Sequence, residues 1–370
     1  MDRPERPPGG SQGANQTSGP RPYVFRSECR SLLFPLIDRA WCRPLLRCLP
    51  GAVPANALTL GALACAAAAA ALCLAASAGV AGDGALIGAA VCVWCYHTLD
   101  DIDGPQARRT GTGGPAGELL DHGVDAHAIY LTTIGFAAWL GLPGIVVLGL
   151  AALGGLTVWA AVWDHRHTGT FYSGRVSEVE GCVALVVLLL AAAWMGQPRL
   201  AAPVAPGLPS PRVVLAVVTA TGLLAQVAGH WRRVARPRPW TEAAPLLGCL
   251  ALVALVAVLS GAGLAWSFLA GLVIARASRR LIEARLAGGA YAAWDRVAWV
   301  AAGAAAIAPG SWAWLVVAGV AAVEAAAFHA AVVSLGRPPA AAGRRAVSAG
   351  LGVPGAPGRA GAGAAAPPGS

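Results

Sequence analysis

Two pairs of aspartates lie close together in the stretch LDDIDGPQARRTGTGGPAGELLDHGVDA, residues 99–126. Asp100 and Asp103 are three residues apart, and Asp121 and Asp125 are four apart, so each pair shares one face of a helix. A helical hairpin would bring all four carboxylates together. Such a cluster needs counter-charge, and two Mg²⁺ or Mn²⁺ ions would supply it, since these cations prefer oxygen ligands. Because a two-metal site suits displacement at phosphorus, the pattern favours phosphoryl transfer over a structural ion network.

Small residues and an arginine accompany the aspartates. Gly104, Ala107 and Gly117 leave the inner helix faces bare, so a nucleotide could approach the backbone there. Arg108 could form a bidentate contact with a phosphate. These residues extend the interpretation from a metal site to a site for a phosphorylated ligand.

The rest of the chain is too apolar for a soluble domain. Of its 370 residues, 56% are hydrophobic and 12% are charged, whereas soluble domains carry about 25% charged residues. The net charge of +9 comes from arginines in short loops between apolar runs. That distribution is typical of membrane proteins and argues against a nucleic-acid partner. The nine cysteines are scattered, mostly in apolar runs, and imply no disulfide framework.

The apolar runs predict an all-α integral membrane protein, since about 20 helical residues are needed to cross a bilayer. We expect roughly ten transmembrane helices. The runs lie near residues 56–79, 84–99, 118–141, 143–162, 179–195, 212–230, 243–260, 263–282, 290–308 and 311–334. The second is short unless its helix continues through Asp100 and its neighbours.

The segments outside these runs have distinct compositions. Residues 28–50 predict an amphipathic helix in the membrane interface, because arginines recur every four residues on one face. Residues 1–27 and 336–370 are rich in Pro and Gly and predict disordered tails. The membrane domain is therefore expected at 51–335, with the paired aspartates at 100–125.

The loop arginines also predict an orientation. They fall mainly in one set of alternate loops, which includes both termini and the aspartate pairs, whereas the opposite set holds only Arg199 and Arg212. The positive-inside rule therefore places the termini and the candidate site at the cytosolic edge.

The aspartate-rich stretch resembles the signature of the CDP-alcohol phosphotransferase (CDP-alcohol phosphatidyltransferase) family. All eight defined positions are present, in the spacing Asp100-x2-Asp103-Gly104-x2-Ala107-Arg108-x8-Gly117-x3-Asp121-x3-Asp125. The pieces DGPQARRTGT and GELLDHGVDA are similar to the choline/ethanolamine phosphotransferase branch. The likeness covers most of residues 30–290 and is strongest at 99–126.

This resemblance implies an enzyme that uses Mg²⁺ or Mn²⁺ at a cytosol-facing site. CDP-choline or CDP-ethanolamine would bind there, and diacylglycerol would enter sideways from the bilayer. Its hydroxyl would attack the phosphate that carries the aminoalcohol, giving phosphatidylcholine or phosphatidylethanolamine and CMP. The resemblance also implies the endoplasmic reticulum membrane in a eukaryotic cell, and a homodimer is typical of the family.

The resemblance also assigns roles to individual residues. The four aspartates would hold the metals, and the nucleotide side would be formed by Gly104, Ala107, Arg108 and Gly117. His122 is the expected general base for the lipid hydroxyl, because its ordinary pKa near 6.5 suits proton transfer at neutral pH. Asp125 is the alternative base.

Two further positions match the branch and have rival interpretations. Glu178 could orient His122 or a metal ligand, or it is simply an acidic residue at a helix N-terminus, and Glu180 competes for the role. Asn56 matches the asparagine that opens the first span, or serves as a helix N-cap. Pro105 departs from the usual Lys and is expected to end its helix there.

Several polar and aromatic residues are left without a fixed role. The headgroup stays open, although four aromatic residues near the signature could form a cage for a trimethylammonium group: Trp94, Tyr96, Trp163 and Tyr172. His97 could line the site, whereas Glu324 and His329 could make a helix–helix contact in the last span.

Other functions compete with this one. A CDP-diacylglycerol-dependent phosphatidyltransferase acting on a small polar alcohol is the nearest alternative, but such enzymes resemble a shorter core of about six helices and usually lack the His next to the third aspartate. A transporter would need polar residues at mid-membrane depth in several helices, whereas here they cluster at one edge. An inactive scaffold is less favoured, since all eight signature positions are intact.

Overall fold

The structure is a computed structural model, and it describes residues 23–234, 240–261, 263–307 and 312–336. Nearly all of the first predicted tail (1–27) and of the second (336–370) lies outside these residues. The described residues form thirteen α-helices: α1 (Phe34–Ile37), α2 (Arg43–Cys48), α3 (Ala55–Ser77), α4 (Ala85–Thr110), α5 (Pro115–Trp139), α6 (Gly144–Thr168), α7 (Glu178–Met195), α8 (Gln197–Ala201), α9 (Pro211–Arg233), α10 (Trp240–Ser260), α11 (Leu264–Leu286), α12 (Arg296–Ile307) and α13 (Ala313–Gly336).

The predicted all-α membrane fold is confirmed, and a helix occupies each of the ten apolar runs. Seven of these helices are long and apolar enough to cross a bilayer: α3, α4, α6, α7, α9, α10 and α13. Helices α5 and α11 are long enough but more polar, and α12 has 12 residues. The count of ten crossings therefore stays a prediction.

Outside the long helices, the described part of the chain has two short segments of note. Residues 28–50, predicted as one amphipathic helix, contain α1, a π-helical turn at Asp38–Cys42 and α2 in succession. Strand β1 (Ser27–Cys29) pairs in parallel with β2 (Phe171–Ser173), which follows α6. This two-stranded ribbon was not expected from the sequence.

Helix α4 does not end at Pro105, so that expectation is wrong. Pro105 removes one backbone hydrogen bond, yet the helix continues to Thr110 and ends where Gly111 adopts a left-handed φ of 67°. Side chains beyond the proline hold this last turn in place. Gln106 Nε2 donates to the Val53 carbonyl at 2.7 Å, and Arg109 donates to the carbonyls of Leu46 and Leu49 at 2.8 and 2.6 Å.

Two packed regions position the ends of α4 and α5. Helix α3 packs along both α4 and α5, and α7 covers α4. On its other side, α5 packs against α6 and α11. The α3–α5 contact is close at Gly135, because a Cβ there would lie 2.8 Å from the Cα of Ala70. Glycine therefore lets the two helices approach backbone to backbone.

A buried ion network joins α11 to α13. Glu324 is 2% exposed, and it accepts hydrogen bonds from Arg276 at 3.0 Å and from Arg279 at 2.5 Å. Asp295 also accepts from Arg276 at 2.5 Å. Glu324 is thus a helix–helix contact, whereas His329 is exposed.

The close α3–α5 contact gives a test of the packing. Gly135→Ala places a methyl group against the backbone of Ala70, which cannot move without shifting α3, and overpacking of this kind costs about 1–3 kcal/mol. We expect a clear loss of thermal stability, measured by unfolding of the purified protein in lipid nanodiscs. Gly149→Ala in α6 is the matched control, because its Cβ meets nothing within 4 Å. Equal melting temperatures for the two variants would contradict the packing.

Candidate active site

The carboxylates of the signature converge where α4 ends and α5 begins. Oxygen atoms of Asp100, Asp103 and Asp121 lie within 4.8 Å of one another. The ligand atoms of Asp121, His122 and Asp125 form a second group of the same size. The structure therefore brings the two aspartate pairs together, and we call the four aspartates the acidic cluster.

The acidic cluster fits a divalent cation. Carboxylate oxygens are the ligands that Mg²⁺ and Mn²⁺ prefer. Asp100 Oδ1 is buried and has no hydrogen-bond partner among the residues that the structure describes. Asp103 is 4% exposed and accepts a hydrogen bond from Thr59 Oγ1 of α3. One carboxylate is thus fixed by a neutral donor, while another has a buried oxygen without a partner in the described part of the chain.

Glu178 joins the acidic cluster from α7. One of its oxygens lies within 4.8 Å of ligand atoms of Asp100 and Asp125. Tyr96 Oη stands between these acids, within hydrogen-bond distance of Glu178 Oε1 and 3.1 Å from Asp125 Oδ1. Glu178 is therefore the acidic residue of α7 that reaches the site.

Glu180 has a different position. Its Oε1 accepts from Ser31 Oγ and from the amides of Leu32 and Leu33 at 2.6–2.9 Å. Its Oε2 accepts from both the amide and the hydroxyl of Ser177 at 2.7 Å, which completes a capping box at the start of α7. Glu180 therefore anchors the N-terminal segment to α7.

His122 lies beside the cluster with its ring nitrogens free. Its Nδ1 is 3.5 Å from Asp125 Oδ2 and 4.0 Å from Asp121 Oδ2. The residue is 6% exposed, and neither nitrogen has a hydrogen-bond partner within the described part of the chain. An imidazole in this position can exchange a proton with a ligand bound at the cluster.

Aromatic rings from the two-stranded ribbon cover His122. Phe171 of β2 stacks on the imidazole with ring centroids 4.3 Å apart and planes 8° apart. Phe25, just before β1, lies 5.6 Å from the same ring and 5.4 Å from His165. The ribbon therefore shields one face of His122 from solvent.

Tyr23, Glu118 and Arg285 form a polar group next to these aromatic rings. Tyr23 Oη donates to Glu118 Oε2 at 2.5 Å, and Arg285 of α11 forms an ion pair with the same carboxylate. Burial raises the pKa of Tyr23 to about 12, against the opposing effect of the Arg285 charge. The phenol therefore stays a neutral donor at physiological pH and ties residue 23 to the first turn of α5.

The expected nucleotide-binding residues lie on α4 and α5, which carry the acidic cluster, and on the neighbouring α3. A Cβ on Gly117 would lie 4.0 Å from Asn56 Oδ1, and one on Gly104 would lie 3.5 Å from Arg108 Nη1. Asn56 is the second residue of α3 and Pro54 is the N-cap, so the N-cap interpretation of Asn56 is wrong. Ala107 and Arg108 lie one helical turn beyond Asp103 on α4. Next to them is a cavity of about 450 Å³, lined in part by Asp38, Arg43, Asp101, Pro105 and Arg108.

The structure does not assemble the four candidate cage aromatics. Tyr96 is at the acidic cluster, whereas Trp163 stacks on Trp231 with centroids 4.6 Å apart. Trp94 contacts Trp41, and Tyr172 lies 3.7 Å from the guanidinium of Arg233. His97 is buried near Asp101 rather than lining the cluster.

Sequence reasoning missed several residues at the site. Tyr96 was expected only as a candidate cage aromatic, and its contact with the acids was not predicted. Thr59 lies in an apolar run, where a lone hydroxyl is typical of a core residue. Phe25 and Phe171 lie outside the long helices, in segments too short for a periodic pattern. Glu118 precedes Asp121 by three residues, so its place on the same helix face could have been noticed.

Comparison with known proteins adds an independent finding. The model of the family described as CDP-alcohol phosphatidyltransferase matches residues 52–221, which contain the whole acidic cluster, His122 and Glu178. Residues 52–221 are thus similar to this family over a little under half of the chain. The family resemblance predicted from the signature is thus confirmed for this region.

Several named proteins are similar to part of this chain. The chain is 34% identical to cholinephosphotransferase 1 of Gallus gallus over 182 residues, which is 47% of this chain and 53% of that protein. It is 37% identical to choline/ethanolaminephosphotransferase 1 of Saccharomyces cerevisiae over 100 residues, 26% of each chain. It is also 31% identical to CDP-diacylglycerol–serine O-phosphatidyltransferase of Encephalitozoon cuniculi over 175 residues, 46% of this chain and 45% of that protein. The chain spans about half or less of the length of these relatives.

The anchor of the N-terminal segment can be tested directly. Glu180→Gln keeps the shape of the side chain but leaves a single acceptor oxygen for five donors. Loss of these bonds at residues 31–33 costs about 1–3 kcal/mol. We therefore expect amide exchange of Leu32 and Leu33 to accelerate by about tenfold or more, measured by hydrogen–deuterium exchange. Glu28→Gln, which breaks an exposed ion pair with Arg30, is the control and should leave these amides unchanged. Unchanged exchange in Glu180→Gln would contradict the anchor.

Proposed function

We propose that this protein transfers phosphocholine or phosphoethanolamine from the CDP-aminoalcohol to the hydroxyl of diacylglycerol, releasing CMP. The observation that carries the proposal is the acidic cluster with the unpartnered His122 beside it, at the helix ends. Relatives named cholinephosphotransferase and choline/ethanolaminephosphotransferase support the choice of substrates.

The proposed metal ligands are the four aspartates of the acidic cluster: Asp100, Asp103, Asp121 and Asp125. Two Mg²⁺ or Mn²⁺ ions bound there would neutralise the pyrophosphate and stabilise the charge that develops on the leaving CMP. Asn56, Gly104, Ala107, Arg108 and Gly117 would hold the nucleotide. Arg108 is exposed at the edge of the cavity, where its guanidinium can pair with a phosphate.

His122 is the proposed general base. Its Nδ1 faces Asp125 and Asp121, and the aspartates favour a protonated ring once it has accepted a proton. The diacylglycerol oxygen forms a bond to the phosphorus that carries the aminoalcohol, and its proton passes to His122. The bond from that phosphorus to the bridging oxygen of the pyrophosphate breaks, and the electron pair leaves with CMP. Glu178 orients the cluster without contacting His122 directly.

The same geometry supports a proposal for the membrane placement. The acidic cluster lies at the helix ends that also carry the arginines of α9 and α11, which supports a cytosolic edge by the positive-inside rule. We propose a multi-pass protein of the endoplasmic reticulum, with residues 28–50 in the interface and a homodimer as in other members of the family. A water-soluble nucleotide and a membrane-bound lipid can meet only at such an edge.

A second function is favoured by one observation. The match to a CDP-diacylglycerol–serine O-phosphatidyltransferase covers 175 residues, nearly as many as the 182 residues of the match to cholinephosphotransferase 1 of Gallus gallus. In that case the nucleotide would carry the diacylglycerol and a small polar alcohol would attack. Both reactions use the same metals and nucleotide residues, so the substrates distinguish them.

The substrate assay uses purified protein in lipid nanodiscs with Mg²⁺ and diacylglycerol. Radiolabelled CDP-choline and CDP-ethanolamine are supplied separately, and label is followed into lipid. We expect labelled phospholipid from at least one of them, and the ratio of the two rates identifies the headgroup. Label from neither, with activity on CDP-diacylglycerol and a polar alcohol instead, would overturn the proposal in favour of the second function.

Adjacent aspartates give a matched pair of variants. Asp100→Asn removes a proposed metal ligand, and we expect the transfer rate to fall by more than about 100-fold, since even outer-shell partners of metals contribute 10–100-fold. Asp101→Asn makes the same chemical change one residue later. Because Asp101 lies outside the acidic cluster, near Cys42 and His97 and on the wall of the cavity, that variant should lose far less of the rate than Asp100→Asn. Equal losses in the two variants would contradict the assignment.

Replacement of His122 tests the base. His122→Gln keeps a polar side chain of similar reach but cannot accept the proton, so we expect kcat to fall by about 10²–10⁴-fold with little change in the KM for the nucleotide. Rates are measured at saturating Mg²⁺. If the rate of His122→Gln stays within a few-fold of wild type, Asp125 and not His122 is the base.

A further inference from the structure

Tyr96 is a polar residue of the site that the proposed mechanism does not use. It lies on α4, one turn before Asp100 and on the same face, and it is 5% exposed. Its ring packs in the apolar region between α3, α4, α5 and α7. Only its hydroxyl reaches the acidic cluster, so the side chain connects a rigid apolar region to the site.

The hydroxyl of Tyr96 faces two acids from different helices. Glu178 Oε1 of α7 and Asp125 Oδ1 of α5 both lie within hydrogen-bond distance of the same phenol oxygen. A phenol has one proton to donate, so it cannot satisfy both carboxylates at once. The two acids also repel each other, and a cation bound near their remaining oxygens would offset this repulsion.

The contact with Tyr96 restricts the orientation of the Asp125 carboxylate. Its Oδ1 faces Tyr96, while its Oδ2 lies 3.5 Å from His122 Nδ1. Each oxygen therefore has a different neighbour, and rotation of the carboxylate would break one of the two contacts. Ligand orientation of this kind changes metal affinity by about 10–100-fold when the outer partner is removed.

We infer that Tyr96 is a positioning residue, which holds Asp125 and Glu178 in the orientation that binds the divalent metal and keeps Asp125 facing His122. The inference rests on the proposed metal site. It extends that proposal by assigning a role to a residue outside the signature. Tyr96 itself contacts neither the metal nor the substrate.

The test is Tyr96→Phe, which removes one oxygen and leaves the packing of the ring intact. Mn²⁺ binding to the purified protein in nanodiscs is measured by electron paramagnetic resonance of free Mn²⁺. We expect the affinity to fall by about tenfold or more. The Mg²⁺ concentration for half-maximal transfer should rise by a similar factor, with part of kcat restored at saturating Mg²⁺. A merely structural loss would instead lower the amount of active protein at every Mg²⁺ concentration.

Two further variants complete the experiment. Tyr130→Phe, in α5, is the control, because Tyr130 is equally buried at 4% and its ring packs against Gly271 of α11. It should leave Mn²⁺ affinity unchanged. In a double-mutant cycle with Glu178→Gln, the two changes should be strongly non-additive, since both remove the same contact.

The outcomes separate this inference from the proposed function. Weaker Mn²⁺ binding in Tyr96→Phe supports the inference even if the protein transfers no label from CDP-choline or CDP-ethanolamine, a result that would overturn only the substrates. Unchanged Mn²⁺ affinity in folded Tyr96→Phe overturns the inference while leaving the function intact. Wild-type protein that binds no Mn²⁺ overturns both.

Discussion

Repulsion among four carboxylates at the end of a bundle of apolar helices is the constraint on which this structure depends. An aspartate within a membrane helix costs about 2.5–3.5 kcal/mol at the helix centre and less near the edge. The protein places its acids at that edge and surrounds them with neutral donors, Thr59 and Tyr96, rather than with arginines. Several arginines near the helix ends pair with other acids, as Arg279 does with Glu324. The acidic cluster is thus left with an excess of negative charge that a divalent metal can neutralise.

The scaffold fixes this cluster through contacts on every side. Helices α4 and α5 carry the four aspartates, while α3 and α7 place Thr59 and Glu178 beside them. Close contacts such as Gly135 against Ala70 set the spacing of α3 and α5. The N-terminal segment covers the remaining side of the site. Glu180 accepts hydrogen bonds from its backbone, and Glu118 accepts one from the Tyr23 side chain. Phe25 of this segment and Phe171 of β2 cover His122. The residues before α3 are therefore part of the site, although the family match begins only at residue 52.

Residue spacing within single helices predicted the core of the site. It could not predict contacts between segments that are far apart in the sequence. The aspartate pairs share helix faces because their spacing is three and four, so their convergence followed from a single hairpin. No such periodicity links Tyr96 to Glu178, 82 residues later, or Glu180 to Ser31. The rule that proline ends a helix failed at Pro105, because Gln106 and Arg109 bind the carbonyls of the preceding segment. The choice between Glu178 and Glu180 also needed the structure, since both lie in the first turn of α7 and only their partners differ.

We propose that the acidic cluster binds two metal ions. The most direct measurement is the number of Mn²⁺ ions bound per chain in nanodiscs, together with the low-temperature electron paramagnetic resonance spectrum of the bound ions. We expect wild-type protein to bind two Mn²⁺ ions per chain and to give a spin-coupled spectrum. In Asp121→Asn this coupling should be lost. Folded wild-type protein that binds no Mn²⁺, or that binds it equally well after Asp121→Asn, would contradict this proposal.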